Sequence, residues 1–211
     1  MRPTMTNPSA IFIFFSILLA LVGPDPSGAS TLSSISTRSL DKYFKNLNPK
    51  KTTLTKLQIY IHANFAISEN QTVFQVASSK ITRQSPTTFG RILIIDNPLT
   101  VTSDSGSGHL GQYQGMNAYS DFQESSANMN MNMFFSGGEY EGSSMSILGR
   151  QPVNEEVRVL SVIGGTGFFR LAKGVVQART LSLDLVTKIG HYVYDMYVVT
   201  PRSAAGWAHA A

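Results

Sequence analysis

Between residues 128 and 135 the chain reads Asn-Met-Asn-Met-Asn-Met-Phe-Phe, an amide and a thioether alternating with period two. Successive side chains of an extended strand point to opposite sides, whereas a helix would smear this pattern around its axis. The segment is therefore a strand with two unlike faces. Asn128, Asn130, Asn132 and Phe134 share one of them, and Met129, Met131, Met133 and Phe135 share the other. The pattern alone leaves open which face turns inward.

The same reading continues along the chain. Residues 57–66 alternate, residues 89–96 form a β-branched run stopped by Asn97 and Pro98, and 110–122, 143–148, 157–163, 168–185 and 191–200 are further strand segments. Turn signals separate them at Gly137 and Gly138, at Gly149, at Gly164 and Gly165, and at Lys188 to Gly190. Residues 102–108, rich in Ser and Gly, read as a flexible loop. No segment carries a convincing helical period. Eight strands with short connections predict an all-β fold, an antiparallel sandwich or barrel. Closure into a barrel removes exposed strand edges, and an eight-stranded barrel can hold side chains or one small ligand.

The first thirty residues differ. A twelve-residue apolar run, 11–22, follows a weakly basic start at Arg2 and precedes the small residues Ser27, Gly28 and Ala29. It is too short to span a bilayer comfortably and has the layout of a secretory signal. The expected organisation is a signal peptide over 1–29, a flexible leader over 30–56, a β-barrel domain over 57–200 and a frayed tail over 201–211. A secreted chain with no cysteine must draw its stability from a closed, well-packed core. In that compartment Asn70, in Asn-Gln-Thr, is a glycosylation acceptor. The net charge of +4 is not gathered into a basic stripe for nucleic acid, and it suits an acidic wall polysaccharide or plain solubility.

Searches for familiar chemistry come back nearly empty. There is no cysteine nucleophile, and His62, His109, His191 and His209 lack metal-ligand spacing. The glycines at 164, 165 and 167 are not followed by the Lys-Ser/Thr of a phosphate loop, and they read as a turn between strands. No Gly-x-Ser-x-Gly elbow is present. No metal or cofactor is expected, and no residue is assigned a catalytic role.

Three stretches carry a resemblance. Phe89-Gly90 followed by residues 94–100 (Ile-Ile-Asp-Asn-Pro-Leu-Thr), then 138–152 (Gly-Glu-Tyr-Glu-Gly-Ser-Ser-Met-Ser-Ile-Leu-Gly-Arg-Gln-Pro), then 162–174 (Val-Ile-Gly-Gly-Thr-Gly-Phe-Phe-Arg-Leu-Ala-Lys-Gly), resemble the plant dirigent family in order and spacing. The resemblance covers roughly 57–199. It implies an eight-stranded antiparallel β-barrel of the dirigent and allene-oxide-cyclase kind, usually a homotrimer, secreted to the apoplast and often glycosylated, with no membrane attachment after signal cleavage. The implied activity is orientation. An oxidase or peroxidase makes phenoxy radicals from a monolignol, and the barrel holds two of them so that one bond on one face is favoured. The alternatives are a quinone-methide cyclase, in which a carboxylic acid protonates the methide oxygen, and a protein that binds a phenolic or the cell wall without directing any reaction.

Departures from the family pattern fall on polar positions. His-Asp is His62-Ala63 here, Asp-Asp is Asp96-Asn97, the aspartate some members carry after Gly-Thr-Gly is Phe168, and Ala-Arg-Gly is Ala172-Lys173-Gly174. Gly-Arg-Ala-Gln-Gly becomes residues 111–115, Gly-Gln-Tyr-Gln-Gly, and the aromatic expected beyond it is Asn117, with Tyr119 next on the same face. Asn97 cannot deliver a proton, Ala63 can neither donate nor accept, and Lys173 lacks the planar fork of arginine. Orientation of radicals needs fewer acids than cyclisation does. The expected substrate-binding residues are Asn97, Asn117, Tyr119 and Lys173. Asp96 and Asn97 are adjacent on a strand, so at most one lines the cavity. His62 reads as a satisfied strand histidine. For residues 128–135 two orientations stand: methionines under a neighbouring subunit with amides lining the cavity, or methionines lining a pocket for flat aromatic substrates.

Overall fold

The computed structural model describes residues 51–202 together with Asp41 and Lys45. The expected signal peptide over 1–29, most of the expected leader over 30–56 and the expected tail from 203 lie outside the described residues.

Nine antiparallel strands follow in chain order: β1 (Thr52–Asn64), β2 (Val73–Ala77), β3 (Ile92–Thr100), β4 (His109–Tyr119), β5 (Ser126–Phe135), β6 (Ser144–Pro152), β7 (Arg158–Thr166), β8 (Lys173–Asp184) and β9 (Ile189–Pro201). From β3 to β9 each pairs with its predecessor, and β9 pairs with β1. The ring closes through Tyr60 with Thr100 and Ile61 with Leu99, between β1 and β3. Eight strands thus form a closed antiparallel barrel, one of the two architectures that the alternation predicts and the one that the resemblance implies. The ninth, β2, continues the seam by pairing with β3 from Val73 opposite Ile95. It has no counterpart among the expected strands because four of its five residues are exposed, so no apolar face marks it.

Three boundaries shift. β1 starts at Thr52, inside the expected leader, because Thr52 to Lys56 pair with Pro201 to Tyr197 of β9; the partner sets the length. β6 runs on to Pro152 against Ser126 of β5. The expected strand over 168–185 is broken, since Gly167–Phe169 form a 3-10 turn and β8 begins only at Lys173.

Register settles the two faces of β5. Met131 lies between Gly115 of β4 and Ile147 of β6, and Met133 between Tyr113 and Met145. Met129, Met131, Met133 and Phe135 are at most 1% exposed, while Asn128, Asn130 and Asn132 are exposed. The methionines line the interior. Burying each thioether side chain contributes roughly 1.5–3 kcal/mol, whereas each carboxamide buried without a partner costs about 1–3 kcal/mol. Two glycines let β4 curve against β5. A Cβ at Gly115 (φ +154°) would stand 2.2 Å from the Asn130 carbonyl oxygen, and one at Gly111 (φ +147°) would stand 1.9 Å from that of Phe134.

One end of the barrel is filled by rings. Phe135, Tyr140, Phe168 and Phe169 contact one another with centroids 4.9 to 5.9 Å apart. Phe168, at the position where some dirigent members carry an aspartate, belongs to this plug.

Candidate ligand site at the polar end of the barrel

The other end of the interior is polar. On the inward side of β4, two residues apart, stand Asn117 and Tyr119, while Leu160, Val162 and Arg158 share the inward side of β7. Arg158 is 3% exposed. Its Nη1 donates to Thr180 Oγ1 at 2.9 Å and to the Glu155 carbonyl oxygen at 3.3 Å. Its Nε and Nη2 have no partner, and neither does the buried Oδ1 of Asn117.

Three tyrosines complete the lining. Tyr113 and Tyr194 share a hydrogen bond between hydroxyls at 3.2 Å with their rings edge to face. Burial, then the neighbouring Tyr194, pushes the Tyr113 hydroxyl well above its ordinary pKa, and burial raises Tyr194 as well. Tyr192 is pushed up to about 12, first by burial and next by Tyr194, against the opposing charge of Arg158; Tyr119 adds a smaller push. Tyr192, Arg158 and Tyr119 therefore feel one another across the same end of the barrel. The Arg91 guanidinium lies 4.2 Å from the centroid of the Tyr119 ring, a cation–π contact that holds the ring at the rim. All three raised hydroxyls keep their protons at neutral pH and act as donors or acceptors, not as acids.

The expected residues divide. Asn117 and Tyr119 come together at this end. Asn97 faces inward and is buried, while Asp96 points out to Gln114 at 3.2 Å. The Asn97 Oδ1, however, accepts from Thr72 Oγ1 at 2.7 Å, and that hydroxyl accepts the Asn64 N–H at 2.8 Å. Asn97 thus ties the 65–72 loop to β3. Lys173 is not brought to the site: on β8 the inward positions are Gly174, Val176 and Ala178, so alternation turns Lys173 outward, where it is exposed. Ala63 is inward and buried, an apolar wall where the family motif has a carboxylate. Asn70 stands exposed in the turn after β1.

His62 is the satisfied strand histidine that the sequence suggests. It lies on the face of β1 opposite Ile61 and Ala63, with Nδ1 2.7 Å from Nδ1 of His191 and Nε2 2.7 Å from Thr100 Oγ1. A shallow groove of about 240 Å³ between Lys56, Gln58, Asp195 and Tyr197 runs across the outside of β1 and β9, away from the polar end. Among the described residues no three His, Cys, Asp or Glu side chains are grouped to hold a metal ion, and no helix is long and apolar enough to cross a membrane.

Arg158, Tyr113, Tyr192 and Tyr194 were not expected from the sequence. The available signal was the period-two alternation of Arg158 with Leu160 and Val162, which puts an arginine on an otherwise apolar inner face.

Comparison with known proteins agrees with this architecture. Residues 54–199 match the family described as Dirigent-like protein. Dirigent protein 15 of Arabidopsis thaliana is 31% identical over 90% of this chain and 97% of its own length. Pterocarpan synthase 1 of Glycyrrhiza echinata is 32% identical over 76% and 88%. A solved pterocarpan synthase dirigent protein superposes with a TM-score of 0.64 at 32% identity, covering 74% of this chain and 98% of that one. In sequence and in fold, the chain belongs to the dirigent family.

Proposed function

We propose that the protein orients two phenoxy radicals, made from a monolignol-type phenol by a separate oxidase or peroxidase, so that they couple with one handedness. The observation that supports this most is the chemistry of the interior: methionine and aromatic walls, a few hydrogen-bonding groups with unused capacity, and no strand carboxylate turned inward. The three carboxylates on the strands are Asp96, Asp184 and Asp195. The first two are exposed, and the third faces outward to Gln58 and Arg179. Each radical contributes one unpaired electron to the new bond, so the barrel itself needs no redox group. A tenfold preference between two approaches requires only about 1.4 kcal/mol. One hydrogen bond from a charged donor such as Arg158 is worth about 1.5–3 kcal/mol.

The protein would act in the apoplast, glycosylated at Asn70, as a homo-oligomer, in keeping with the family resemblance. An apolar stripe on the outer face supports the last point. Phe74, Ile94 and Met116 are register neighbours, with Leu148 further round the sheet, and all four are exposed.

The test is to oxidise coniferyl alcohol with a small amount of laccase, with and without the purified protein, and to measure the enantiomeric excess of the coupled products. An excess that appears only with the protein supports the reading, and a racemic mixture refutes it for this substrate. A second reading, ring closure on a phenolic precursor, is favoured by the relatives named pterocarpan synthases. It requires turnover of a quinone methide with no oxidant present.

A further inference from the structure

We infer that the polar end of the barrel selects a phenolic acid, a flat molecule with a carboxylate at one end and a phenol at the other, over the corresponding neutral alcohol or ester. This rests on the barrel interior being a phenolic site and adds the charge of its ligand.

Three cations on the outer surface are ion-paired: Lys56 with Asp41, Arg150 with Asp121 and Glu124, and Arg179 with Asp195. The deeply buried Arg158 makes no ion pair among the described residues. Of its acidic neighbours in sequence, Glu155 gives it only a backbone carbonyl oxygen, and the side chains of Glu155 and Glu156 are both exposed. A buried charge is tolerated when it is paired and hydrogen-bonded, and Arg158 has just Thr180 Oγ1 and that carbonyl, both on Nη1. Nε and Nη2 remain, two parallel N–H groups on one edge of the guanidinium, the geometry that grips a carboxylate through both oxygens.

The other half of the ligand follows from Asn117. Its Oδ1 is a buried acceptor without a donor, and a phenol O–H is a donor. Asn117 stands on β4 and Arg158 on β7, three strands apart around a ring of eight, hence on facing walls. Between them lie the methionines of β5 and the tyrosine rings, apolar surfaces for a flat ring and its conjugated arm. A hydroxycinnamate offers the two polar ends in that arrangement. Its methyl ester and its alcohol lose the anion and keep the phenol.

Titration calorimetry on the unaltered protein at neutral pH, with ferulate, methyl ferulate and coniferyl alcohol, tests this without any variant. Ferulate is expected to bind at least about tenfold more tightly than the ester, the equivalent of one charge-assisted carboxylate contact. Arg158→Gln should abolish the preference, so that the variant binds ferulate and the ester with equal affinity. Equal affinity for acid and ester overturns the inference and leaves the phenolic site standing. If none of the three binds, the inference and the phenolic reading both fall. A folded Arg158→Gln protein that still prefers ferulate also overturns it, and if that variant does not fold, the comparison on the unaltered protein decides.

Discussion

Replacing Met131 and Asn130 in turn by alanine tests the orientation of β5 on which the interior depends. The two residues are adjacent, share one strand and face opposite ways: Met131 is fully buried between Gly115 and Ile147, and Asn130 is exposed opposite Met116 and Leu148. Met131→Ala removes a buried thioether from a packed wall and leaves a cavity, which costs about 2–5 kcal/mol. For a folded unit of this size each kcal/mol moves the midpoint by about 2–4 °C, so a fall of about 4–20 °C is expected. Asn130→Ala changes a solvated surface position and should stay within about 0.5 kcal/mol. Met131→Leu, which keeps volume, should cost less than about 1.5 kcal/mol. Thermal unfolding by circular dichroism, with urea unfolding as a second measure, reads all three. Equal losses for the two alanine variants, or a larger loss for Asn130→Ala, would mean that the amide face is the buried one, and the site described above would have to be rebuilt.

Two further outcomes follow from hydrogen-bonded groups outside the ligand site. Burial, and next to it the charge of His191, holds the His62 pKa below its ordinary 6.5, against a smaller opposing pull from Asp104. The unfolded chain therefore takes up a proton near pH 6.5 that the folded chain refuses, so the stability tied to His62 is intact above that pH and is lost as the pH falls through the lower folded value. Urea midpoints should decline in that window, and His62→Gln should flatten the decline. Asn97→Ala removes the acceptor of the Thr72 hydroxyl; it should cost about 1–3 kcal/mol in urea unfolding and leave the enantiomeric excess of coupling unchanged.

How much could be read beforehand differs between fold and site. Strand period, turn glycines and the absence of cysteine point to a closed all-β barrel because each is a local consequence of which residues face a core. β2 escaped since an exposed edge segment has no such face, and the break at Gly167–Phe169 escaped since two phenylalanines suit a strand and an end plug equally well. For the site, the departures from the family motifs drew attention to positions where charge had been lost. Asn117 and Tyr119 do come together there. Lys173 does not, because one step along a strand reverses direction, and Asn97 is occupied by a loop contact that joins residues twenty-five apart. Arg158 went unremarked since its meaning depends on three tyrosines from β4 and β9, which only the closed ring brings near it.

That arrangement bears on whether the barrel can also do acid chemistry. Protonating a quinone methide calls for a group whose pKa lies near the working pH. The proton-bearing groups at the polar end are phenols and a guanidinium: Tyr119 at the rim, Arg158, and the buried Tyr113, Tyr192 and Tyr194, whose hydroxyls are all pushed upward, Tyr192 to about 12. Each can hold an oxygen by hydrogen bonding, and none is an acid of useful strength. The nearest histidine on β1, His62, is on the outer face with both ring nitrogens engaged. The uncompensated guanidinium further favours an anionic ligand over one being protonated. Should this protein accelerate ring closure, its rate would show no limb from a protein carboxyl group as the pH is raised from about 4 to 6, the range in which such groups ordinarily titrate. A sigmoidal loss of rate across that interval, with an unaltered fold by circular dichroism, would reveal an acid that this interior does not contain and would return the cyclase reading to first place.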